Sequence, residues 1–274
     1  MLEDFIGNEV FTPATTADDP PLLRASGVSH FYGNRVGCQD VSFELWPGEV
    51  LAIVGESGSG KSTLLGCLSG RLTPTAGVVE YRMRDRATRN IFDLSEAERR
   101  FLARTDWGFV HQDARNGLRM TISAGGNVGE RLMAIGNRNY AGIRSEALDW
   151  LGRVEIDADR IDDRPEQFSG GMRQRLQIAR NLVTGPRLVF MDEPTSGLDV
   201  SVQARLLDLL RGLVSDLSLS AIIVTHDLAV ARMISHRMMV MRNGTVVESG
   251  LTDQILDDPQ SAYAQLLVAS VLQP

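Results

Sequence analysis

The sequence predicts an α/β fold built on a mainly parallel sheet, and two observations carry that reading. Short, largely apolar runs at Val50–Val54, Arg187–Met191 and Ser220–Thr225 have the character of strands buried on both faces. They are separated by helical stretches such as the amphipathic Ser201–Leu217, and strands alternating with helices imply parallel pairing. Residues 1–21 are rich in Pro, Thr and Asp without periodicity and read as a flexible acidic tail. Val41–Leu45 alternates like a half-buried strand, Trp46–Glu49 reads as a turn, and Val78–Tyr81 reads as an edge strand after the turn Thr73–Gly77. Ser95-Glu96-Ala97-Glu98 has capping-box spacing and should open a helix through Arg104. Residues 113–165 are interrupted by glycine yet keep helical periodicity, clearest over Ile143–Val154, so 113–180 reads as a helical insert. Met238–Arg242, Asn243-Gly244 and Thr245–Glu248 spell a hairpin with a two-residue turn. The organisation expected is a tail over 1–21, a domain over 22–250 and a C-terminal helical extension over 251–274.

Composition narrows the class. The 274 residues are 43% hydrophobic and 23% charged, ordinary for a chain that buries a sizeable core. The longest aliphatic runs are too short to cross a bilayer, and Met1–Pro21 carries acidic residues but no basic one, unlike a signal peptide. The expectation is a cytoplasmic protein with no direct membrane insertion. Cys38 and Cys67 lack paired spacing, which argues against a disulfide framework or a zinc site, and His30, His111 and His236 share no metal-ligand spacing. A net charge of −7 weighs against nucleic acid as a partner. Of 28 basic residues only Lys61 is a lysine. An ammonium on a flexible stem and a planar guanidinium are not interchangeable between phosphate oxygens, so a lone lysine retained among arginines marks a site.

Its neighbours agree. Gly55-Glu56-Ser57-Gly58-Ser59-Gly60-Lys61-Ser62 follows a buried strand and precedes the helical run Thr63–Leu68, the setting a phosphate-binding loop requires. Glycines let backbone N–H groups curl round phosphate oxygens, and the next helix turns its positive end to the same anion. Lys61 should bridge the β- and γ-phosphates, and the Ser62 hydroxyl should ligate Mg²⁺. Leu188–Met191 ends in Asp192-Glu193, and a doubly buried strand ending in two carboxylates suggests a cation beyond it. Asp192 suits a magnesium ligand and Glu193 a base for the attacking water. Phe168-Ser169-Gly170-Gly171-Met172-Arg173-Gln174 precedes an expected helix Arg175–Val183, and Ser-Gly-Gly at a helix start reads as a second anion cradle, which suggests that two chains share two nucleotides.

With these motifs stand Val110-His111-Gln112, Ser196-Gly197-Leu198-Asp199 and Val224-Thr225-His226-Asp227. Their order over about residues 22–250 resembles the ATP-binding cassette (ABC) ATPases. The resemblance implies a RecA-like, mainly parallel core with an antiparallel β subdomain and a helical insert subdomain. It also implies head-to-tail dimers that sandwich two ATP between one chain's Lys61 loop and the other's Ser169-Gly170-Gly171-Met172. By the same carry-over Gln112 reaches Mg²⁺ and the attacking water, and His226 contacts the γ-phosphate. Asp199 lies at the dimer interface, and Tyr32 stacks on adenine. Phe168 and Met172 depart from the commonest signature, Leu-Ser-Gly-Gly-Gln, and keep its anion-binding centre.

Within the family, Arg104–Gly108, Gly117–Arg119, Ser123–Ala134 and the ending Gln265–Gln273 resemble the ATP-binding subunits of phosphonate carbon–phosphorus lyase systems. That implies docking on a soluble lyase core complex. Segment 113–140 mixes Arg115, Arg119 and Arg131 with Leu118, Met120, Leu132 and Met133 among glycines 117, 125, 126 and 129. Flexible backbone carrying apolar side chains reads as a docking surface. The alternative is the energy-coupling subunit of an oligopeptide- or nickel-type importer, which Asp257–Tyr263 also resembles. Many such subunits carry a C-terminal cysteine cluster, and no cysteine follows Cys67.

Overall fold

The computed structural model describes residues 20–271; the acidic tail reading falls almost wholly outside them. The chain opens with β1 (Leu23–Tyr32), β2 (Arg35–Leu45), β3 (Val50–Val54) and α1 (Lys61–Leu68). Next come β4 (Ala76–Arg82), β5 (Thr88–Asn90), α2 (Glu96–Thr105) and β6 (Trp107–Val110). Three helices follow, α3 (Ala124–Ala134), α4 (Tyr140–Arg153) and α5 (Gly170–Leu182). The chain then returns to the sheet through β7 (Leu188–Asp192), α6 (Val200–Asp216), β8 (Ser220–Thr225) and α7 (Leu228–Ile234). It closes with β9 (Arg237–Arg242), β10 (Thr245–Leu251), α8 (Thr252–Asp257) and α9 (Ala262–Val271).

Six strands form the main sheet in the order β10-β9-β3-β8-β7-β6, parallel throughout except for the β9–β10 hairpin. Because both faces are covered, alternate residues of one strand enter different cores. In β7, Leu188 and Phe190 pack with α1 and the first four-stranded sheet, whereas Val189 and Met191 pack with the helical layer of α3, α4, α5 and α6. In β3, Ala52 and Val54 join α7, α8 and α9 in a third cluster. That separate antiparallel sheet has the order β2-β1-β4-β5.

The helix expected after Ser95 forms with both halves of its capping box in place. The strand read at Val78–Tyr81 corresponds to β4, but it is not an edge: β4 lies between β1 and β5. β5 is three partly exposed polar residues whose strand character comes from pairing with β4, so its sequence carries no apolar signal. β1 also escaped sequence reading, because register shifts between Ala25 and Val28 and between Val28 and Phe31 break its alternation.

A second correction concerns 113–140. Gly117, Gly125 and Gly129 are packing positions rather than flexible backbone. A Cβ on Gly125 or Gly129 of α3 would stand 2.5 Å from Ile161 Cγ1 or 2.6 Å from Ile143 Cγ2. One on Gly117 would meet Gln177 Oε1 at 2.0 Å. Leu118 and Leu132 are buried, and Met120 packs on the core. Arg131 points inward, donating to the carbonyls of Ala103 and Trp107 at 3.1 Å, and burial, aided by nearby Arg180, lowers its pKa to about 10. The surface left is Arg115 and Arg119 with Met133, Ile135 and Tyr140.

Candidate nucleotide site

The loop between β3 and α1 has a backbone only glycine accepts. Gly60 sits at φ +103°, where a Cβ would lie 2.1 Å from Gly37 O; Gly55, at φ +148°, would place one 2.3 Å from Met241 O. The loop borders a cavity of about 670 Å³. From the sequence-derived set, Tyr32, Gly55, Glu56, Ser57, Gly58, Gly60, Lys61, Ser62, Thr63, Gln112, Glu193 and His226 line it. Ser59 is buried behind the loop, its hydroxyl 3.5 Å from Lys61 Nζ. Tyr32 is half exposed at the rim, with its ring edge-on to His30.

Lys61 is buried and folds back on the loop, donating to Gly55 O at 2.7 Å and Glu56 O at 2.9 Å. Burial lowers its pKa, and the negative charges of Glu193 and Asp192 oppose that shift. Ser62 Oγ donates to Asp192 Oδ1 at 3.1 Å. Burial raises the Asp192 pKa, and the Ser62 hydrogen bond partly reverses it.

Adjacent residues of an extended strand face opposite sides, so Asp192 and Glu193 should diverge. The chain avoids this because Glu193 adopts φ +46°, the left-handed region, while its N–H stays tied to Val224 O at 2.8 Å. Such a conformation costs about 1 kcal/mol or more in a residue with a side chain. The charges of both carboxylates reach Lys61, and of the two Glu193 lines the cavity. His226 Nδ1 meets both Glu193 oxygens at 2.9 Å, and Thr225 Oγ1 donates to Oε2 at 3.4 Å. From across the cavity Gln112 Nε2 donates to Ser196 Oγ at 3.1 Å.

The remaining sequence candidates do not line this cavity. Ser169 caps α5, accepting from Met172 N at 3.3 Å, with Gly170 exposed beside it. Asp199 caps α6, accepting from Val202 N at 3.0 Å. The two helix starts adjoin: a Cβ on Gly170 would lie 3.6 Å from Leu198 Cδ2, and one on Gly171 2.4 Å from Val202 Cγ1. Ser169, Gly170, Met172 and Asp199 thus belong to a second face, with Gly171 buried against Val202.

Comparison with known proteins gives this geometry its context. The ABC transporter family model matches residues 38–196, more than half of the chain. The chain belongs to that family. It is therefore an ABC ATPase, and it binds and hydrolyses ATP. It is 63% identical, over 92% of its length and 98% of the relative's, to the putative phosphonates utilization ATP-binding protein PhnK of Escherichia coli strain K12. It is 37% identical to the dipeptide transport ATP-binding protein DppD of Bacillus subtilis strain 168, covering 88% of this chain and 72% of that one. Among solved structures, the dimeric post-hydrolysis state of the cassette MJ0796 bound to ADP and Pi superposes with a TM-score of 0.74 at 29% identity, covering 84% and 98% of the two chains. CbiO1 of Clostridium perfringens, part of the transporter complex cbiONQ, gives 0.75 at 27%, covering 87% and 92%. No helix among the described residues of this cassette is long and apolar enough to cross a membrane.

Sequence reasoning missed Arg35, Val36, Gly37 and Leu267, which also line the cavity, and Tyr263, whose hydroxyl accepts from Glu56 N at 3.3 Å. These come from β2 and α9, and no local motif marks them.

Proposed function

We propose that this chain is the ATPase of a phosphonate-utilisation system, docked on a soluble carbon–phosphorus lyase core complex and working as a head-to-tail dimer around two ATP. The observation that carries the assignment is the 63% identity with PhnK, spread over nearly both whole chains, against 37% with the peptide importer subunit. Likeness to a dimeric cassette supports the dimer, and so does the second face bearing Ser169 and Asp199 outside the cavity.

In this reading the chain's own groups divide the work. Loop N–H groups and Lys61 hold the phosphates, Lys61 exchanging the Gly55 and Glu56 carbonyls for phosphate oxygens. Tyr32 offers a face to the base. His226 and Thr225 hold the Glu193 carboxylate, which takes the proton of the attacking water that Gln112 orients. Ser62, Asp192 and Gln112 supply hydroxyl, carboxylate and amide oxygens, a hard donor set that fits Mg²⁺ with waters and phosphate completing the shell. Bound there, the ion would neutralise phosphate charge.

Docking falls to the exposed side chains of 113–140. Arg119→Glu combined with Met133→Asp is expected to abolish co-purification with lyase subunits while leaving basal ATPase close to wild type. Loss of ATP binding in that variant would make the segment structural. Recovery of the intact chain in membranes with permease subunits would replace the lyase reading with the importer one.

A further inference from the structure

The end of the chain is built into the phosphate-binding loop. Tyr263, Ala264 and Val268 of α9 are buried in one cluster with Val54, the last residue before the loop, and with Leu228 and Val240. The Tyr263 ring lies under the Arg242 guanidinium, 4.8 Å from its centroid. Its hydroxyl accepts the Glu56 N–H at 3.3 Å. One helical turn on, Leu267 reaches the cavity, joining a lining whose other large apolar groups are Tyr32 and Val36.

We propose that Tyr263 and Leu267 are nucleotide-positioning residues, Tyr263 anchoring the first turn of the loop and Leu267 forming an apolar wall beside the bound nucleoside triphosphate. This rests on the cavity being the ATP site. The physical argument starts with Lys61. In the free chain its ammonium ties Gly55 O and Glu56 O together, and with three N–H donors it gives up at least one of these bonds when it bridges two phosphate oxygens. The loop start then loses part of its internal tie at the moment its N–H groups must hold an anion. The Glu56–Tyr263 bond is independent of Lys61 and comes from a helix fixed by its own core. It keeps the first turn in place through that exchange and lowers the ordering cost of binding. Leu267 excludes water from one side of the same loop, which strengthens its electrostatic grip on phosphate.

The test uses the full chain and titration with a fluorescent ATP analogue. Tyr263→Phe keeps the ring beneath Arg242 and removes only the hydroxyl. It should raise the nucleotide Kd about three- to ten-fold, the range of one net hydrogen bond, and raise KM more than it lowers kcat, with Tm little changed. Leu267→Cys introduces a thiol while Cys38 and Cys67 are buried, so modification reports on position 267. At dilution where light scattering shows monomer, ADP should slow that modification several-fold. A Tyr263→Phe Kd within two-fold of wild type, or a modification rate indifferent to ADP, would overturn the proposal. Lys61→Ala separates this failure from that of the site itself: nucleotide binding unchanged in Lys61→Ala would sink the cavity assignment, and with it the proposal.

Discussion

In the proposed function Glu193 is the residue on which hydrolysis turns, and its backbone is unusual. Its φ of +46° is left-handed, its side chain lines the cavity where His226 and Thr225 hold it, and the neighbouring Asp192 carboxylate accepts from Ser62. Glu193→Gln preserves shape but removes basicity, so nucleotide should bind while steady-state turnover falls by roughly 10²-fold or more. Turnover near wild type in a dimeric preparation would reassign the base. His111, next to Gln112, behaves differently. Its Nε2 faces the Arg71 guanidinium at 3.3 Å, and burial together with that charge lowers its pKa to about 4. The unfolded chain protonates this ring near pH 6.5, so between about 6.5 and 4 the unfolded state binds the extra proton. Stability should therefore fall as pH drops through that window. His111→Gln should lose less Tm than wild type between pH 6.5 and 4.5, and equal losses would count against the shift.

At the scale of elements, α5 joins two parts of the site. Its first turn carries Ser169 as cap and the exposed Gly170, and one turn further it presents Gln174 and Gln177 to the strand end at His111. Gln177, wholly buried, accepts the His111 N–H at 2.7 Å and donates to its carbonyl at 3.1 Å. The backbone just before Gln112 is thereby held by the helix that opens with the signature. Gln177→Leu strands a buried N–H at a cost of about 1–3 kcal/mol. Melting should drop by about 2–10 °C for a domain of this size, with kcat reduced through Gln112. An unchanged Tm would show that the clamp adds nothing.

For the whole molecule, the division between a cavity and a separate signature face is what makes the dimer testable. Neither Ser169 nor Asp199 lines the cavity in one chain, so in the proposed dimer each reaches nucleotide only from a second copy. Lys61→Ala and Ser169→Arg protomers, inactive alone, can pair into a dimer with one intact composite site. Their mixture should regain ATPase that neither parent has. ATP-dependent dimerisation of Glu193→Gln by light scattering is the companion measurement, and its absence together with no regain of activity would remove the head-to-tail arrangement.

The phosphate loop, the buried strands, the β9–β10 hairpin and the capped α2 were all legible in the sequence. Each depends on interactions within a few residues: glycine at positive φ, alternation or its absence, a two-residue turn, a Ser-to-Glu cap. Residue type and spacing also marked Lys61, Ser62, Asp192 and Glu193 as candidates, and the Ser62–Asp192 hydrogen bond brings two of them together across 130 residues. Tertiary structure alone decided which segments meet. The Glu56–Tyr263 bond spans 207 residues, the Glu193–His226 contact spans 33, and the tight glycines of α3 answer to Ile143 and Ile161. It also placed β4 inside a sheet rather than at its edge. Periodicity reports which face of an element is apolar and is silent on which surface covers it, because that choice is made by chain topology and close packing across the core.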